Sequence, residues 1–215
     1  MALSLPAIVL SVCAVLSAVL TTWADQKKRH GLFQRVKPLT TSLIIAVAAV
    51  APVPEPAAYK VFILAGLVAS LAGDIALALP DKWFAFGLAA FLVAQVLYIL
   101  AFRPGPSRPI SVGTFLPFIL YGLLMYFILR PGLGPLKIPV FAYVAAIVIM
   151  AGFAAGRYVD LGGLKPLFAF IGAVLFLISD SVLAYDRFGR KLGPAVQIVI
   201  LGTYFPAQLL IALSV

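Results

Sequence analysis

Along the chain, long apolar runs alternate with short polar separators. The runs cover about Leu5 to Trp23, Pro38 to Ala51, Tyr59 to Leu79, Trp83 to Phe102, Phe115 to Leu129, Ile138 to Gly156, Leu164 to Tyr185 and Pro194 to Val215. Most reach the roughly 20 residues that a helix needs to cross about 30 Å of hydrocarbon; the second and fifth are short and must borrow flanking residues. The separators are Pro52-Val53-Pro54-Glu55-Pro56, Pro80-Asp81-Lys82, Arg103-Pro104-Gly105-Pro106, Arg130-Pro131-Gly132, Gly162-Gly163 and the stretch from Gly189 to Pro194, which is the turn chemistry of helix connections. None is long enough for a soluble domain. The pattern predicts an all-α integral membrane protein of about eight transmembrane helices, with residues 1–215 as a single transmembrane domain. The first run has no basic residues ahead of it and no evident small-residue cleavage site, so it is expected to be a retained span rather than a signal peptide.

Composition agrees. Hydrophobic residues make up 64% of the 215 and charged ones 11%, against roughly half and a quarter in a soluble domain, so no water-soluble surface can be built. Charge then gives an orientation, because Lys and Arg of short loops collect on the cytoplasmic side. With eight spans, one face receives Lys27, Lys28, Arg29, Arg35, Lys37, Lys82, Arg130, Lys137, Arg187, Arg190 and Lys191, and the other only Lys60, Arg103, Arg108, Arg157 and Lys165. Both termini are therefore expected outside. The net charge of +9 reads as topology and attraction to anionic headgroups. It does not indicate nucleic-acid binding, since the cations are divided among loops with no reading module. Cys13 and His30 are the only residues of their kinds, so no zinc site and no Cys/His nucleophilic pair can be assembled. Cys13 reads as a small packing residue and His30 as a loop residue.

Sliding the sequence against itself by 106 positions aligns the third and fourth runs with the seventh and eighth without a gap. About a dozen identities result, including Gly66 with Gly172, Asp74 with Asp180 and Tyr98 with Tyr204, where about four would arise by chance. A 4+4 parallel repeat is expected, with halves of about 1–106 and 107–215 related along the membrane normal. Asp74 and Asp180 would then share one depth, about 9 Å below the cytoplasmic interface. They are the only carboxylates inside any run. Such a group costs at least about 2.5 kcal/mol to insert and normally faces the bundle interior with a task. The bland alternative is a structural clamp. Ser70 precedes Asp74 by one turn, and Ser179 and Ser181 flank Asp180; Phe91, Gln95 and Tyr98 form one helical stripe, and Gln197, Tyr204 and Gln208 another. Each of these is equally readable as interhelical glue. Lys37, Thr40 and Thr41 share a face at the start of the second span, where Pro38 suits a first helical turn and Lys37 either holds a phosphate or follows the positive-inside rule.

Together, Lys37-Pro38-Leu39-Thr40, Ser70-Leu71-Ala72-Gly73-Asp74, the stretch Phe91 to Tyr98, Phe176-Leu177-Ile178-Ser179-Asp180 after Gly172-Ala173, and Tyr204-Phe205-Pro206-Ala207-Gln208 resemble the YhhN-like lysoplasmalogenase family over nearly the whole chain. One departure stands out: Gln95 occupies the place of a His expected in Phe-x-x-x-His-x-x-Tyr, and Gln cannot titrate. The resemblance implies an inner-membrane hydrolase that cleaves the vinyl ether of lysoplasmalogens to a fatty aldehyde and a glycerophospho-headgroup. It also implies Asp74 and Asp180 as catalytic residues, with Lys37, Ser70, Gln95, Tyr98, Ser179, Tyr204 and Gln208 around the substrate.

A vinyl ether needs a proton on its β-carbon and then water at the α-carbon. Two carboxyl groups in one cavity resist joint ionisation, so the pair is expected to hold one proton and to serve as general acid and as ionised stabiliser. The expected partners are membrane lipids and a lysophospholipid substrate; no metal, cofactor or obligate protein partner is required. The competing classes are a secondary transporter or proton-coupled carrier, where repeats and intramembrane carboxylates also occur, and a non-catalytic lipid-binding protein.

Overall fold

The computed structural model describes residues 4–53, 56–103 and 112–215. Pro54, Glu55, Pro104, Gly105, Pro106 and Arg108, which belong to the expected turns and outer charges, lie outside the described residues. Eight helices follow in order: α1 (Leu5–Gln26), α2 (His30–Val50), α3 (Ala58–Leu77), α4 (Phe84–Phe102), α5 (Leu116–Leu129), α6 (Lys137–Leu161), α7 (Leu164–Ala184) and α8 (Val196–Leu213). Each, with its flanking turns, is long and apolar enough to span a bilayer. The protein is a multi-pass integral membrane protein.

The bundle is apolar outside and encloses a cluster of polar side chains within a mostly apolar core. Lys37, Thr40, Thr41, Ser70, Asp74, Gln95 and Gln208 are buried, while Val12, Leu16 and Val19 of α1 and Leu116, Leu120 and Phe127 of α5 are exposed. Lipid tails accept such a surface without cost, and polar side chains must find partners within the protein. Cys13 is exposed on this lipid-facing surface, not packed as the sequence suggests.

Small residues set the close approaches. A Cβ built at Gly66 would lie 2.4 Å from the ring of Tyr98, and one at Gly73 2.6 Å from the ring of Phe91. These glycines stand two turns apart on α3 and let α4 seat its aromatic rings against the α3 backbone. Gly172 does the same for α7 against α8, where a Cβ would meet the carbonyl oxygen of Ala207 at 2.8 Å. Between α6 and α7 the chain reverses through Gly162 (φ 60°) and Gly163 (φ 79°), a left-handed pair that glycine adopts without strain. α6 packs against α4, α5 and α7, and α8 against α1, α2, α3 and α7. α5 is the outlier, with only Gly122 and Leu129 buried.

The two short runs resolve differently. α5 extends through 3-10 turns at Val112–Phe115 and Arg130–Gly132, the borrowing that its length required. α2 instead begins at His30, so Pro38 lies inside the helix rather than in its first turn. The upstream residues are polar and basic and so leave no apolar run, yet they continue the helix beyond the hydrocarbon. His30 is accordingly the first residue of α2, not part of a loop.

The connections expected on the basic face do meet at one end. Gln26 donates to the carbonyl of Pro194 at 3.2 Å, Arg187 reaches Asp81 at 3.3 Å, and Gly132 abuts the backbone of Phe188. At the other end Tyr59 meets the Ser214 hydroxyl at 2.6 Å and Lys165 donates to the carbonyl of Val215 at 2.7 Å. The α3–α4 and α7–α8 connections differ in local structure. There α7 passes into a π-helical turn, Tyr185–Gly189, and α8 starts only at Val196, whereas α4 already begins at Phe84.

Candidate active site

Asp74 is held by three side chains from two neighbouring helices, α2 and α8. Its position one turn before the end of α3 brings it nearer that end than the expected 9 Å. Lys37 Nζ of α2 lies 3.2 Å from Oδ1. Thr41, one turn further along α2, donates to Oδ2 at 2.5 Å, and Tyr204 of α8 donates to the same oxygen at 2.7 Å. Behind Tyr204 runs a relay: Gln208 Nε2 donates to the Tyr204 oxygen at 3.2 Å, and Tyr98 of α4 donates to Gln208 Oε1 at 2.8 Å. Ser70 lies near Tyr98 but makes no well-aligned hydrogen bond. Thr40 turns away to Ser17 and Thr21, at 2.7 and 3.1 Å, and forms a polar seam between α1 and α2.

Asp180 has a different shell. Tyr143 of α6 donates a short hydrogen bond to Oδ2, and Gln95 Nε2 of α4 lies 3.4 Å from the same atom. Both donors are neutral. Oδ1 has no hydrogen-bond partner among the described residues. Asp180 and Tyr143 are also the main polar lining of an apolar cavity of about 60 Å³ walled by α4, α5, α6 and α7, with Phe84, Leu88, Phe91, Met125, Val144 and Leu177 among its other sides. Ser181 lines the cavity too, but its hydroxyl donates to the Leu177 carbonyl at 2.7 Å. Ser179 points elsewhere and donates to the Ile200 carbonyl at 3.1 Å, tying α7 to α8.

The two carboxylates thus occupy one core without touching. No direct hydrogen bond joins them among the described residues, and each has its own set of donors. Oδ2 of Asp74 accepts both hydrogen bonds and Oδ1 meets only the Lys37 ammonium, and α3 and α7 are not close-packed neighbours. Phe91 fills the space between the sites, edge-on to Tyr204 at 5.8 Å and to Phe176 at 6.1 Å. Lys37 is 7% exposed and faces Asp74, so its charge is paired inside the bundle. Among the described residues no hydrogen bond joins Gln197 to either carboxylate.

Tyr143 is absent from the sequence stripes. A signal was present: the shift of 106 positions that carries Asp74 onto Asp180 also carries Lys37 onto Tyr143. Lys37 reaches Asp74 and Tyr143 reaches Asp180, so one site has a cation where the other has a phenol. The same shift pairs Asp81 with Arg187, which touch each other.

Comparison with known proteins adds a family. Residues 32–215 match the sequence profile described as the YhhN family. Lysoplasmalogenase TMEM86B of Rattus norvegicus is 36% identical over 175 residues, which is 80% of this chain and 67% of that protein. Human lysoplasmalogenase TMEM86B is 37% identical over 166 residues, 73% of this chain and 64% of its own. The membrane protein YhhN of Escherichia coli O157:H7 is 28% identical over 203 residues, 93% of this chain and 96% of its own. The chain therefore spans about two thirds of the length of these mammalian relatives. No solved structure matches it.

Proposed function

The chain belongs to the YhhN family, and from that premise we propose that it is a membrane hydrolase of ether lysolipids. It cleaves the vinyl-ether bond of a lysoplasmalogen, or a related lysophospholipid ether, to a fatty aldehyde and a glycerophospho-headgroup. The observation that supports this most is Asp180: an acid held by neutral donors on the wall of an apolar cavity, beside a second carboxylate already matched by a cation.

In this reading Asp180 carries the proton on the oxygen that Tyr143 and Gln95 leave unoccupied. It gives that proton to the β-carbon of the vinyl ether, and the double-bond electrons form the new C–H bond, leaving an oxocarbenium ion at the α-carbon. Water adds to the α-carbon and returns a proton to Asp180, giving a hemiacetal. The hemiacetal C–O bond to glycerol then breaks, the glycerol oxygen takes a proton, and the hydroxyl proton is lost as the aldehyde forms. The net change is the addition of one water. A positioned acid–base group of this kind is worth about 10² to 10⁴ in rate. Asp74 stays ionised beside Lys37 and contributes negative potential toward the developing cation. Tyr204, Gln208 and Tyr98 hold Asp74 in place, and Phe91 keeps the two sites apart. The cavity has room for about four waters by its volume, enough for the reacting bond but not for a whole chain. The alkenyl chain therefore leaves past Tyr121 and Met125 of the lipid-exposed α5 into the bilayer.

The deciding experiment is to incubate purified protein with a 1-alkenyl lysophospholipid and follow fatty aldehyde. Release of one aldehyde per lipid consumed is the expected result; none from any headgroup or chain length would leave the carrier reading in possession of the two carboxylates.

We further propose that the halves are a diverged parallel duplication and that the chain resides in a bacterial inner membrane with both termini outside. The clustering of the α1–α2, α3–α4 and α7–α8 connections at one end, with most of the basic residues, supports the orientation. Reporter fusions after His30 and after Arg103 should report cytoplasm and exterior respectively. The reverse pattern would place the cavity mouth on the outer face.

A further inference from the structure

The cavity that holds Asp180 is closed toward the α7–α8 connection by Phe84 and Phe188, which meet edge to face at 5.9 Å. Arg187 lies over Phe84, with its guanidinium carbon 4.7 Å from the ring centre. The stacking sets the plane of the fork at the rim of the cavity. The ion partner of Arg187 is Asp81, whose two oxygens each lie 3.3 Å from one guanidinium nitrogen. Those contacts are long for charge-assisted hydrogen bonds, which run about 2.7–2.9 Å. The Asp81 side chain is 85% exposed and that of Arg187 34%. Exposed pairs of this type contribute little, so a better-placed anion can displace Asp81 readily.

The spacing fits a lysolipid. Arg187 follows Asp180 by seven residues along α7 and its π-helical turn, which at about 1.5 Å per residue is roughly 10 Å along the axis. In a 1-alkenyl lysophospholipid the phosphorus lies five bonds from the ether oxygen, about 6 Å when extended. The remaining gap is within the reach of an arginine side chain folded back over Phe84. Lys37, the cation that the sequence nominates for the phosphate, is taken by Asp74.

We propose that Arg187, oriented by Phe84 and lightly held by Asp81, binds the phosphate of the lipid headgroup and so selects phosphate-bearing lysolipids over headgroup-free glycerol ethers. This rests on the ether-lipid reading above and deepens it. The guanidinium exchanges the Asp81 carboxylate for the phosphate, and the ether bond then falls beside Asp180.

The test is binding of a saturated ether that cannot be cleaved. 1-O-hexadecyl-glycero-3-phosphocholine and 1-O-hexadecylglycerol are titrated into the detergent-solubilised full chain and its variants. Arg187→Gln should weaken the phospholipid by at least about tenfold and leave the glycerol ether essentially unchanged. Arg187→Lys should fall between, because it keeps the charge but loses the fork. Asp81→Asn should act in the opposite direction and tighten the phospholipid, which decides the matter even if Arg187→Gln does not fold. Equal losses for both lipids, or a weakening in Asp81→Asn, would overturn the assignment. Displacement by glycerophosphocholine alone as effective as by the whole lipid would overturn the lipid source and indicate a soluble phosphodiester. The hydrolase reading fails separately, by absence of aldehyde from the unmodified chain, and that outcome leaves these binding differences readable.

Discussion

Asp180→Asn is expected to lower aldehyde release by at least about a hundredfold, the lower end of what a general acid–base group contributes, with little change in thermal stability. Asparagine keeps the volume of the side chain, and its carbonyl oxygen can still accept from Tyr143 and Gln95, the two donors that now share Oδ2. Its amide has no transferable proton. The lost quantity is therefore chemistry alone. A structural clamp gives the opposite pattern, since the amide would satisfy most of the same hydrogen bonds and any loss of activity would follow loss of folded protein. The two are separated by measuring aldehyde production and thermal unfolding on the same preparation. A variant that retains more than about a tenth of the activity would remove Asp180 from the role of acid. Asp74→Asn provides the internal contrast: its carboxylate contacts an ammonium and does not line the cavity, so that substitution should disturb stability and activity together.

How much of this was legible in the sequence differs by residue. Eight crossings follow from the apolar runs because burial in hydrocarbon demands length and little else. Asp74 and Asp180 stand out because they are the only carboxylates inside the runs. The partners of those carboxylates are another matter. Ser70 and Ser179 share the right helical neighbourhoods but point to Tyr98 and to the Ile200 carbonyl, because helical spacing places a residue on a face without saying which neighbour that face meets. Tyr143 carries no signal within α6, where a phenol among apolar residues reads as a packing aromatic; only the extension of the 106-residue shift upstream would have exposed it. The beginning of α2 is hidden for a related reason. A polar helical extension has no apolar run to reveal it, and Pro38 imitates a first turn. Lys37, once that helix is extended, lies one turn before Thr41 on the face that meets α3, with Asp74 as its counter-ion.

That placement carries the second large expectation. Lys37→Met should destabilise the protein by about 3–5 kcal/mol, the range found when one member of a buried ion pair is removed and the other is left uncompensated. Methionine preserves much of the apolar stem that packs in the site, so the loss reports the charge rather than a cavity. Asp74 cannot be relieved by water, since its side chain is 1% exposed, and Thr41 and Tyr204 supply only neutral hydrogen bonds. The double variant Lys37→Met with Asp74→Asn removes both charges and should recover most of that stability, because a buried pair taken as a whole often adds little over neutral residues of similar volume. Denaturant or thermal unfolding in one detergent, read as a double-mutant cycle, gives the coupling directly. A cost below about 1 kcal/mol for Lys37→Met would mean that the pair behaves as a solvated surface contact. A variant of unchanged stability but raised KM for the lysophospholipid would return Lys37 to the headgroup. The expected pattern is the reverse: a large stability loss in the single variant, its recovery in the double, and a headgroup preference that stays with Arg187.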